Sequence, residues 1–145
     1  MGLKIFLPIA VVVFLVATTC ADIAASIGGE PVAVALREHL YWARVQFVGT
    51  LLLLAPFVAV AIICARMEKQ VRTRSASLIF ALAMLALLYF YFQAYQSAER
   101  AALKQLWTAA TLSVALLPFL IGLPVVVAVI GAGALAAKYD RRMSD

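Results

Sequence analysis

The sequence predicts an all-α integral membrane protein: a bundle of four transmembrane helices in a single transmembrane domain (1–145), N-in and C-in, with the fourth helix kinked at Pro118-Pro124. Three observations predict it. Hydrophobic residues make up 66% of the 145 and charged residues only 13%, with a mean hydropathy of +1.05, whereas an ordinary soluble domain carries about 25% charged residues. The few charges are clustered, leaving four charge-free windows that meet or approach the roughly 20 apolar residues needed to cross about 30 Å of hydrocarbon. Those windows are continuous apolar runs, unlike the alternating segments of an outer-membrane barrel, and a helix satisfies its backbone polar groups internally as hydrocarbon demands.

The first window, between Lys4 and Asp22, predicts a span over about 5–25. Met1 to Ala21 also has the outline of a secretory signal, with one basic residue, an apolar stretch and a Thr19-Cys20-Ala21 ending. The apolar run reaches the lower limit for a span and Thr19 suits a cleavage site poorly, so the segment is expected to stay as a helix. Gly28-Gly29 then interrupts it, and Glu30-Pro31 fits the first turn of a new helix, where proline loses no needed donor. An outer helical extension is expected over about 31–43, with Arg37, Tyr41 and Arg44 on one face. It should run directly into span two, about 44–65, where Gln46 is the only strongly polar side chain and Pro56 is expected to kink the helix.

Span three, about 75–96, lies between Arg74 and Glu99. Its outer half carries the polar-aromatic run Tyr89 to Gln96, in which Tyr89, Gln93 and Gln96 share a face at i, i+4 and i+7. An amide as deep as that of Gln93 is expected to seek a partner helix. The linker QSAERAALKQ contains no glycine, proline or asparagine and favours helix by propensity, so a turn must fall between Tyr95 and Trp107 at no marked position. Span four, about 107–137, lies in a window of 33 charge-free residues, about 50 Å as one helix and longer than a bilayer core needs. The Pro118 to Pro124 stretch allows a kinked span or a re-entrant hairpin, and the charge pattern favours the kinked span. Ala128, Ala132 and Ala136, four apart with Gly131 and Gly133 beside them, form a small-residue face suited to close helix contact.

Orientation follows from the basic residues. With the N-terminus inside, the inner segments hold Lys4, Arg66, Lys69, Arg72, Arg74, Lys138, Arg141 and Arg142, against Arg37, Arg44, Arg100 and Lys104 outside. Aromatic anchors agree: Tyr41, Trp42, Tyr95 and Trp107 fall at the outer interface and Tyr139 at the inner one. The net charge of +5 is thus a topology signal directed at lipid head groups. No aromatic-basic platform suggests nucleic acid.

No Asp, Glu, Lys, Arg or His lies inside any of the four windows. Such residues mark proton paths, metal centres and haem ligands in membranes, so their absence points away from a pump and from redox chemistry. His39 is the only histidine, too few for a paired haem or a His-rich zinc site, and Arg37-Glu38-His39 is better explained as a solvated helix end. Cys20 and Cys64 fall at opposite sides of an alternating bundle, beyond disulfide reach, and are expected to act as small buried hydrophobes. A Cys20–His39 nucleophile pair has nothing to mark Cys20 as a thiolate.

The expectation is therefore a protein without catalytic residues, metal or cofactor. It would be an accessory or assembly subunit, or an immunity-type protein, of a bacterial inner membrane. Its partners would be the lipid bilayer and another membrane protein or further copies of itself, met through Tyr89, Gln93, Gln96, Ala128, Ala132 and Ala136. Two alternatives stand beside it: a homo-oligomeric channel or transporter subunit using the broken fourth helix, and a lipid- or quinone-binding protein using the Tyr89 to Gln96 face.

Overall fold

The computed structural model of the chain describes residues 2–26 and 32–143, which are helical apart from short turns. In chain order the elements are α1 (Leu3–Ser26), α2 (Val32–Val45), α3 (Phe47–Met67), α4 (Thr73–Leu103), α5 (Trp107–Leu117), a π-helical segment (Pro118–Gly122) and α6 (Leu123–Arg142). Four stretches are long and apolar enough to cross a membrane: Leu3–Cys20, Phe47–Met67, Thr73–Ala98 and Thr108–Arg142. The protein is thus built as a multi-pass, all-helical bundle. The Gly28-Gly29 break and the Glu30-Pro31 helix start lie outside the described residues.

Because lipid tails are as apolar as leucine, helices here gain from close packing and not from leaving water. The core shows it. One face of α1 buries Phe6, Ala10, Phe14 and Ala17, and one face of α3 buries Phe57, Val60, Ala61, Cys64 and Met67. These meet Phe80, Met84, Leu87 and Tyr91 of α4. Phe57 is the hub: its ring stands edge-on to Phe14 at 5.4 Å and to Tyr91 at 4.9 Å, while Phe6 meets Phe80 at 4.6 Å. Alanines lie between the aromatics on each face and let the large rings interdigitate.

Two hydrogen bonds gather the helix ends. The Gly2 N–H donates to Glu68 Oε2 at 2.6 Å, joining the start of α1 to the end of α3. The Arg72 N–H donates to Asp140 Oδ2 at 3.1 Å, joining the start of α4 to the last turn of α6. The segments bearing eight of the twelve Lys and Arg residues therefore meet at one end of the bundle.

At three places the backbone departs from the sequence expectation or supplies what it lacked. The outer extension does not run into span two, because α2 stops at Val45 and Gln46 leaves helical geometry at φ −101°, ψ 47°. The Thr50 N–H and Oγ1 both donate to the Gln46 carbonyl, at 2.9 and 3.1 Å, and so begin a separate helix. The break separates α2, which carries Arg37 and Arg44, from the apolar helix α3.

The unmarked turn lies at Lys104-Gln105-Leu106. Gln105 is left-handed at φ +61°, and the Leu106 N–H returns to the Ala101 carbonyl at 3.0 Å. This is the long bond of a Schellman motif, with glutamine in the position that glycine usually fills.

The fourth span is helical from Trp107 to Arg142, with no turn at which the chain could reverse. Pro118 and Pro124 each remove a helical donor, and the intervening turn widens so that the Leu123 N–H reaches Pro118 O, five residues back. In α3 the helix likewise continues through Pro56.

Candidate functional site

The outward face of α4 is built by Leu78, Leu82, Leu85 and Tyr89, all exposed, at spacings of four, three and four. Gln93 is one further step along that stripe and is exposed too. Its amide makes no hydrogen bond among the described residues. The Tyr89 ring, 60% exposed, stands edge-on to Phe90 at 5.4 Å, while Gln96 is half-buried. Of the expected Tyr89–Gln93–Gln96 face, two members look out of the bundle and the third is partly covered.

The inter-helix hydrogen bond expected of Gln93 is made by Tyr91 instead. Tyr91 is fully buried, and its hydroxyl donates to the Leu53 carbonyl at 3.0 Å, within the turn that Pro56 disturbs. Neighbouring polar side chains commonly serve the backbone around a membrane proline. The signal for Tyr91 was present in the sequence only as a coincidence of depth between Pro56 and an aromatic run on another helix. Among the described residues no buried side-chain nitrogen or oxygen lacks a hydrogen bond; Thr18, for example, donates to Phe14 O at 3.1 Å.

On α6 the small residues divide. Ala128 is exposed, Ala132 is half-buried, and Ala136 packs on the core. The close approach is made by Gly122 and Gly133, on a seam that includes buried Val129. A Cβ on Gly122 would stand 2.8 Å from Pro56 Cβ, and one on Gly133 would stand 2.8 Å from Met67 Sδ. This seam meets α3, so much of the small-residue signal is spent inside the chain.

All seven basic topology residues, Arg66, Lys69, Arg72, Arg74, Lys138, Arg141 and Arg142, are exposed. They surround the end where the two hydrogen bonds gather the helices, and there an open groove separates the start of α4 from the last turns of α6. Of the interface anchors, Tyr41 is exposed and Tyr95 half-buried. The side chains of Trp42 and Trp107 lie outside the described residues, as does that of His39.

Cys20 is exposed and Cys64 buried, and both are free thiols. Among the described residues no group of three or more His, Cys, Asp and Glu is placed to hold a metal ion. The arrangement offers two surfaces at opposite ends of α4, one presenting an amide and a phenol from the apolar wall, the other presenting cations beside a groove. Comparison of the chain with known protein families, with curated proteins and with solved structures finds no match.

Proposed function

We propose that this is a non-enzymatic interaction protein of a bacterial inner membrane, an accessory or assembly subunit or an immunity-type protein. In this reading it lies N-in and C-in, its fourth span bends at Pro118-Pro124, and it binds another membrane protein through the outward face of α4. The observation that carries the reading is Gln93: its amide faces out of the apolar wall with no intramolecular hydrogen bond among the described residues, beside exposed Tyr89. An amide at membrane depth gains from a partner on a neighbouring helix.

The test is a photocrosslinking residue placed at position 93 in the membrane, with the same probe at Leu82 on the same stripe as a control for random encounter. A discrete protein adduct from position 93 alone is the expected result, and Gln93→Leu should weaken co-purification roughly 3- to 30-fold, the range of one inter-helix hydrogen bond in a bilayer. Adducts with lipid only, or the same adducts from both positions, would remove the reading. An adduct with a second copy of the chain would instead favour the homo-oligomeric channel or transporter, and a retained quinone would favour the lipid- or quinone-binding alternative.

A further inference from the structure

The groove at the basic end is lined by Ser75 in the first turn of α4 and by Leu135, Ala136, Lys138, Tyr139, Asp140 and Arg142 of α6. Of these, Leu135, Lys138, Tyr139 and Arg142 fall at i, i+3, i+4 and i+7 and so form one strip of the helix. Over seven residues the strip rises about 10 Å, from Leu135 in the charge-free run to Arg142 at the charged end. It therefore passes from Leu135, 70% exposed, to Lys138 and the exposed Tyr139 ring at mid-height, and on to exposed Arg142. Neither Lys138 nor Arg142 is held in an ion pair among the described residues. The one carboxylate lining the groove, Asp140, already accepts the Arg72 N–H at 3.1 Å.

We infer that this groove binds an anionic glycerophospholipid, with Lys138 and Arg142 on the phosphate and an acyl chain along Leu135. The groove runs from hydrocarbon at Leu135 to charge at Arg142, with Lys138 and the Tyr139 ring side by side between them, a gradient from apolar to cationic that such a lipid matches. Two cations without carboxylate partners among the described residues suit a negative head group, and basic pockets between membrane helices are used in this way.

The experiment uses the full chain purified in mild detergent and measures binding of phosphatidylglycerol and of phosphatidylcholine with the same acyl chains, by native mass spectrometry. Phosphatidylglycerol should bind more tightly. Replacing both cations, Lys138→Gln with Arg142→Gln, should weaken it by roughly thirtyfold, at about 1 kcal/mol for each cation facing an anionic head group, and leave phosphatidylcholine unchanged. Lys138→Arg with Arg142→Lys should keep the preference. The control pair Arg66→Gln with Lys69→Gln, at the same end but outside the groove, should shift binding by less than about threefold. All four side chains are exposed, so none of these variants removes core packing. Equal affinity for the two lipids, an equal loss in the control pair, or inorganic phosphate binding as tightly as phosphatidylglycerol would each overturn the inference.

Discussion

Gly122→Ala and Gly133→Ala make the same chemical change on the same seam, yet their costs should differ, because the atoms they meet differ in freedom. At Gly133 the new methyl meets the terminal atoms of Met67, with Sδ at 2.8 Å. A thioether can swing away for about 0.5–1.5 kcal/mol of rotamer cost. Alanine returns about 1 kcal/mol of helix propensity over glycine, so Gly133→Ala should come out near zero. At Gly122 the new methyl meets the ring of Pro56, with its Cβ at 2.8 Å. That ring has no rotamer to change, so α3 and the π segment must separate. Overpacking of this kind costs typically 1–3 kcal/mol.

Gly122→Ala should therefore be the less stable of the two by about 1–2 kcal/mol. Reversible unfolding with a denaturing detergent, titrated into mild-detergent micelles, reads the difference. Adding Pro56→Ala should recover part of the loss in the Gly122→Ala background, since it removes the Cγ and Cδ that the methyl also meets while keeping the Cβ. Equal stability of the two alanine variants, or no rescue by Pro56→Ala, would refute the claim that Gly122 and Pro56 set the approach of the third and fourth spans.

Other outcomes follow from the same packing. Gln105→Gly should raise stability by up to about 1 kcal/mol, because a non-glycine residue in the left-handed region carries a cost of that order; a lower melting temperature would contradict the turn. Tyr91→Phe should cost about 1 kcal/mol through loss of the bond to Leu53 O, while Tyr89→Phe should change stability little; both are read in the same unfolding titration. Phe57→Ala, which empties the contact with both Phe14 and Tyr91, should cost about 3–5 kcal/mol and shows as poor recovery of folded protein from detergent extracts.

The helix positions were legible in the amino-acid order because a charge in hydrocarbon is costly wherever it falls. The spacing from Lys4 to Asp22, Arg44 to Arg66, Arg74 to Glu99 and Lys104 to Lys138 therefore outlines four spans with no reference to their neighbours. Pro118 and Pro124 marked a disturbance in the fourth for the same local reason. Which side of each helix faces in was not legible. Where almost every residue is apolar there is no polar stripe to read, and the choice rests on side-chain shape.

Phe57 lies between Phe14 and Tyr91, and Gly122 rests against Pro56, only after α1, α3, α4 and α6 have come together. The same assembly turns Tyr91 inward and leaves Gln93 outside, two residues apart on one helix. It also supports a left-handed Gln105 that local propensity opposes, through the contacts of the helices on either side of the turn. Desolvation of charge acts on each segment alone and so is written along the chain, whereas steric fit acts between segments and exists only in the folded bundle.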